Sequence, residues 1–326
     1  MKKTLVVVGS ILALGCGDET NEKGPIQINN QTPNNTAGQN NTVGQNNPVG
    51  QNNPVGQNNP VSSNNTKGQN NPDDLFCPES ARPIYVVEAD VQNPEAQGTL
   101  VRFDAQTLTF AEIGQLNCPV QDATPFSMSV DRAGVAWVLY DSGDLFKVST
   151  TDASCEATSY VPGQSGFWLF GMGFTLDSPG FPDETLYIAG SDGPGSGTPR
   201  LGTLSFPDFD VTSLATIGGW PEMSGTAEGE LWAFFPGNNP PEVARLSRSG
   251  QVLESIQVGR IEGQPNAWAF AHWGGKFWLF YKSQTDTSTR VYRVERDPIT
   301  VEEVIPESGR YIVGAGVSTC APTIFL

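Results

Sequence analysis

A chain of 326 residues with 37% hydrophobic side chains can bury a sizeable core, yet 36 glycines and 25 prolines keep its apolar runs short. The formal net charge of −17, from 18 Lys and Arg against 35 Asp and Glu, argues against a nucleic-acid partner and against electrostatic attachment to anionic lipid, because both select for basic patches. A single histidine cannot build a zinc site on several imidazoles, and it routes any histidine-dependent triad through one residue.

At the N-terminus Lys2 and Lys3 give a positive start, Leu5 to Leu14 an apolar stretch, and Ala13-Leu14-Gly15 a small-residue site ahead of Cys16. A bilayer-spanning helix needs about 20 apolar residues, more than this stretch offers, so residues 1–15 read as a cleaved signal peptide. Ala13-Leu14-Gly15-Cys16 resembles the lipobox of bacterial lipoproteins, with Ala13 where Leu is usual. The resemblance implies cleavage before Cys16, diacylglycerol on its thiol and acylation of the new amine. Several buried acyl chains anchor a protein stably where one does not. The same residues also suit the ordinary signal peptidase, which would release a soluble protein carrying Cys16 as a free thiol. The odd count of five cysteines fits lipidation, since Cys77, Cys118, Cys155 and Cys320 can then all pair. Gly17 stands where the inner-membrane retention signal would place Asp, so resemblance points to the outer membrane, on its periplasmic or outward side.

From Cys16 to residue 76 the chain is nearly free of large apolar residues and carries a hexapeptide array, Val43-Gly-Gln-Asn-Asn-Pro48, then the same motif from Val49 and from Val55. One Val per six residues buries too little area to offset backbone entropy, so a disordered Asn/Gly/Gln/Pro linker is expected. A hexapeptide period also occurs in left-handed β-helices, but that fold needs more apolar positions per turn. A flexible linker of about 58 residues reaches about 40 Å on average.

Residues 77–326 hold β-branched and aromatic residues in short runs divided by Gly, Asp, Ser and Pro, with no long period of 3.6. An all-β domain follows. The runs repeat in fours: 126–131, 136–140, 145–148 and 157–161; then 170–174, 185–189, 200–204 and 211–217; then 223–226, 231–235, 243–246 and 252–258; then 267–271, 277–281, 290–294 and 301–304. The period of about 46 residues lies in the range of β-propeller blades. One strand is left at the end, 312–317, and three at the beginning, 84–87, 100–103 and 110–116. Together they complete a fifth blade with its innermost strand from the C-terminus, which removes an exposed sheet edge. Cys77 and Cys320 flank that seam and are expected to pair. Cys118 follows the outermost strand of the first blade and Cys155 starts that of the second, and the two are expected to staple these blades.

The resemblance to propellers lies in this pattern, with neither the Trp-Asp ending of WD40 repeats nor the double Gly of Kelch repeats. Lipobox, Asn-rich spacer and propeller together are similar to lipoproteins of myxobacteria and their relatives, a resemblance that implies an address and a shape but no activity.

Candidate chemistry is sparse. His272, in Phe270-Ala-His-Trp-Gly274, has no Gly-x-Ser-x-Gly elbow to serve and reads as structural. Glycosidases need paired carboxylates at the inner ends of the innermost strands. Those ends read Thr124-Pro-Phe126, Trp168-Leu-Phe170, Pro221-Glu-Met223, Asn266-Ala-Trp268 and Arg310-Tyr-Ile312, with Glu222 alone acidic. Asp141 to Asp144 and Asp192 could hold calcium in a loop but read better as hairpin turns. No metal and no cofactor are expected. The aromatic run from Trp268 to Tyr281 packs between blades, leaving Trp268, His272 and Trp273 as the candidate ligand-binding residues near channel mouths. The expectation is a monomeric, membrane-anchored extracytoplasmic lipoprotein whose propeller is a binding or scaffolding module for a protein or carbohydrate. The rival reading is a propeller hydrolase or lyase acting on extracellular or cell-wall carbohydrate.

Overall fold

The structure is a computed structural model that describes residues 77–89, 97–193, 196–259 and 261–324. The signal peptide, Cys16 and the linker over 16–76 lie outside the described residues.

Five four-stranded antiparallel sheets make up the described fold. Blade one holds β1 (Ile84–Glu88), β2 (Thr99–Asp104) and β3 (Thr109–Gln115). Blade two holds β4 (Pro125–Val130), β5 (Val135–Tyr140), β6 (Leu145–Ser149) and β7 (Cys155–Ala157). Blade three runs β8 (Leu169–Leu176), β9 (Glu184–Ser191), β10 (Arg200–Leu204) and β11 (Val211–Thr216). Blade four runs β12 (Glu222–Gly225), β13 (Leu231–Phe235), β14 (Glu242–Leu246) and β15 (Val252–Gln257). Blade five runs β16 (Pro265–Trp273), β17 (Lys276–Ser283), β18 (Arg290–Arg296) and β19 (Ile299–Ile305), and β20 (Ile312–Gly316) returns to blade one. Among the described residues helix is confined to two short 3-10 turns, Glu79–Ala81 and Gln164–Gly166.

The innermost strand is the first of blades two to five and β20 in blade one. β4 touches β8, β8 touches β12, β12 touches β16, β16 touches β20, and β20 touches β4, which closes a ring of five. The fold is thus a five-bladed β-propeller. Burial follows radius: β13 is buried along its whole length, while β3 and β11 on the rim are mostly exposed. Strands such as Leu231-Trp-Ala-Phe-Phe235 therefore read as continuous apolar runs, because both of their faces pack against neighbouring blades. Five hydrophobic clusters fill the five gaps between blades. Phe270, Phe277, Trp278, Phe280 and Tyr281 are fully buried there, each ring contributing about 2–3 kcal/mol by leaving water.

The ring closes as the strand pattern implies. β20 pairs antiparallel with β1, Tyr85 opposite Gly316 and Val87 opposite Gly314, so one blade is built from both ends of the domain. Cys77 is bonded to Cys320 (Cα–Cα 5.7 Å) and Cys118 to Cys155 (4.9 Å), the first across the seam and the second between blades one and two. The outer strand of blade two differs from expectation, being Cys155–Ala157 rather than 157–161. After the disulfide pins Cys155, Thr158 donates to the Leu145 carbonyl and Tyr160 turns inward against Phe170, taking the chain off the sheet edge.

The innermost strands approach one another through small residues. A β-carbon on Gly171 would fall on the Pro221 carbonyl oxygen, and one on Gly225 would fall on that of Phe174. Ser127, Ser129 and Ser224 stand at similar places and are buried. At the C-terminal ends of these strands the tail crosses the axis. Pro322 accepts from the Gly274 N–H, Ser318 donates to the Ala81 carbonyl (2.6 Å), and Thr319 accepts from the Arg132 guanidinium (3.1 Å). This end of the channel is plugged.

Candidate functional site at the open mouth

The N-terminal ends of the innermost strands surround a cavity of about 770 Å³. Blade two contributes Thr124, Pro125 and Phe126; blade four contributes Trp220, Glu222 and Asn238; blade five contributes Asn266 and Trp268; and β20 with the residue before it contributes Val313 and Tyr311. Four of the five inner-end triplets read from the sequence thus converge. The fifth does not, since the Trp168 ring lies 42% exposed outside the cavity and Phe170 is buried between blades.

Trp220, Trp268, Phe126 and Tyr311 are half-buried, and among the described residues none of the four rings stacks on another ring. Lys282 Nζ lies 5.3 Å from the centre of the Tyr311 ring. The indole N–H groups of Trp137, Trp232, Trp273 and Trp278 all donate to protein oxygens. Those of Trp220 and Trp268 have no protein acceptor among the described residues, so the cavity carries apolar faces with unspent donors at their edges.

Both carboxyl groups of the cavity are engaged. Asp141 follows β5 and accepts from the Thr124 N–H and hydroxyl, each at 3.0 Å, fixing the start of β4. Glu222 is buried and accepts from the Ser127 hydroxyl at 2.9 Å. Burial pushes its carboxyl well above the ordinary 4.5, against the lowering pull of the Ser127 hydroxyl and the Met172 N–H. It ties blade four to blades two and three across the axis.

The three candidate binding residues are not brought together. Trp268 lines the open mouth. His272 lies four residues further along β16, about 13 Å away at strand rise, in a separate cavity of about 850 Å³ with Glu228, Glu230, Lys276 and Arg296. Its ring packs at 5.3 Å from Phe277, and burial with the nearby Arg296 charge lowers its pKa to about 4. Its backbone N–H donates to the Ser224 hydroxyl. Trp273 faces a third cavity beside Arg102 and donates to the Arg82 carbonyl at 2.8 Å, anchoring the segment before β1. Trp220 was not singled out in the sequence, Asp141 was read as a hairpin-turn residue, and Tyr311 stood only within an inner-end triplet. Trp220 sits in Gly218-Gly-Trp-Pro221, where a ring between chain breakers directly ahead of an inner strand is the signal that could have found it. Among the described residues no three His, Cys, Asp or Glu side chains group to hold a metal.

At the plugged end Glu184 accepts from the Arg132 N–H (2.8 Å) and the Thr319 hydroxyl (2.8 Å). Burial outweighs these bonds and pushes its pKa up to about 7 from 4.5. The folded state therefore holds the proton more tightly than the unfolded chain. This contribution is complete below pH 4.5 and is lost as pH rises through about 7, a span of roughly 3 kcal/mol. His272 acts oppositely: its neutral form favours the fold above pH 6.5, and that is lost as pH falls through about 4. Urea unfolding at pH 6 and pH 8.5 is expected to show a loss of stability on the alkaline side that is smaller in Glu184→Gln.

No protein-family model and no curated protein matches the sequence. Among the described residues no helix is long and apolar enough to cross a membrane. Solved structures with similar coordinates include TolB from Acinetobacter baumannii, 12% identical, over 70% of this chain and 54% of that one, with a TM-score of 0.43. Others are the Kuenenia stuttgartiensis hydrazine synthase (14% identity, 64% and 60% covered, TM-score 0.35) and a nidogen/laminin complex (13%, 69% and 78%, 0.39). The chain spans about half the length of the TolB chain it matches. The five-bladed assignment rests on the sheet order and the closed ring of inner strands.

Proposed function

We propose that the chain is an extracytoplasmic lipoprotein, anchored through lipid on Cys16 in the outer membrane, whose propeller binds a ligand at the open mouth of its channel. The observation that carries the binding reading is the one-ended channel: a cavity of about 770 Å³ edged by four unstacked rings, closed below by Gly and Ser strands and at the far end by the tail. Pockets of this size suit a compact ligand. The two carboxyl groups present act as struts, Asp141 on Thr124 and Glu222 on Ser127, which supports binding over hydrolysis.

Two measurements test the two halves. Radiolabelled palmitate is expected in the wild-type chain and absent from Cys16→Ser; label retained by the variant overturns the anchor. Incubation of the protein with cell-wall and extracellular polysaccharides is expected to release no reducing ends. Release that disappears in Glu222→Gln would put the hydrolase reading in its place.

A further inference from the structure

We infer that the open mouth takes a neutral oligosaccharide, a di- or trisaccharide of gluco configuration, stacked on Trp268 and Trp220; this rests on the binding reading above. The unspent groups of the cavity define the ligand. Its apolar surface holds the Trp268 and Trp220 indoles beside Phe126 and several prolines, and its unspent polar groups include the two indole N–H donors and the amide oxygen of Asn266. The Tyr311 hydroxyl, which already accepts from Asn266 at 2.6 Å, keeps its own hydrogen to donate. A gluco-configured sugar presents axial C–H groups on its faces and hydroxyl and ring oxygens at its edges, so faces meet indoles while edge oxygens meet the donors.

Charge removes the alternatives one at a time. No Lys or Arg lines the cavity and two carboxyl groups do, so phosphates and free carboxylates are disfavoured. An organic cation could use ring faces, but Asp141 is spent on Thr124 and the buried Glu222 on Ser127, and the indole donors would be wasted on it. A Pro-rich peptide could also stack on the rings and accept from the indoles. It suits an elongated groove, whereas here residues of four of the five blades surround the cavity above inner strands that approach closely through Gly.

The test is calorimetric titration of the Cys16→Ser protein, used at full length, with cellotriose, chitotriose and maltotriose, and in parallel with decaproline and tetramethylammonium. Saturable binding of at least one trisaccharide is expected, weakened about tenfold or more in Trp268→Ala and in Trp220→Ala and unchanged in Trp168→Ala, the exposed ring outside the cavity. Trp268→Phe keeps a face and loses the donor, and is expected to fall between wild type and Trp268→Ala. Thermal melts establish that each variant is folded. Trisaccharide binding indifferent to both cavity tryptophans overturns the inference. Binding of decaproline or tetramethylammonium in place of the sugars overturns it while leaving the binding reading intact. Silence toward all five probes together with release of reducing ends from polysaccharide overturns both.

Discussion

Cys77→Ser is expected to lower the melting temperature of the propeller more than Cys118→Ser does. The seam bond closes a loop of 243 residues and the second bond one of 37. In the chain-entropy picture these stabilise by about 5.5 and about 3.8 kcal/mol, with longer loops gaining more. Losing the seam bond also frees the tail, because Arg132 reaches both Thr319 and the Cys77 sulfur from the end of β4. The ring has then lost its lock at the one blade whose strands come from both ends of the domain. A difference of about 2 kcal/mol should appear as roughly 4–8 °C for a domain of this size. Calorimetry under non-reducing conditions measures it, and equal losses in the two variants would remove the special role of the seam.

The other large effect is expected from a single methyl group. Gly225→Ala places a β-carbon against the Phe174 carbonyl and the Thr175 side chain, both on the inner strand of the next blade. Neither partner can yield cheaply, since β8 is held along its length by β9 and is buried between blades. Overpacking of this kind costs about 3 kcal/mol, which is about 6–12 °C here. Gly218→Ala is the matched control. It removes the same unfolded-state freedom but meets open space, so its own shift should be small. Equal melting temperatures for the two variants would mean that the channel wall is looser than its backbone contacts imply.

Much of this fold was legible because radius in a propeller leaves a mark on the chain. The second strands are apolar on both faces, the rim strands alternate or are polar, and β-turn residues punctuate each blade. A surplus strand at one end and a missing one at the other then made the closure and the Cys77–Cys320 pairing readable. The rim of blade two was misplaced because Tyr160 carries the residue type of a strand and is used as an inter-blade wedge, a choice set by the gap it fills. The mouth was legible only in part. Trp268 could be placed because it opens a long strand, whereas Trp220 lies in a loop without period and Asp141 in a hairpin turn whose neighbour, Thr124, is distant in the chain. Trp268, His272 and Trp273 are near in sequence, yet a strand spreads and alternates them into three different cavities.

The seam disulfide also fixes a direction. Cys77 and Cys320 both lie at the plugged end, where Arg132 touches the Cys77 sulfur, while the cavity opens at the opposite end of the same axis. A pull applied at Cys77 is therefore borne by a covalent bond to the tail rather than by the hydrogen bonds of β1. Under the anchoring proposed above, a load carried along the chain to Cys77 would enter the propeller through a covalent bond at the end away from the cavity.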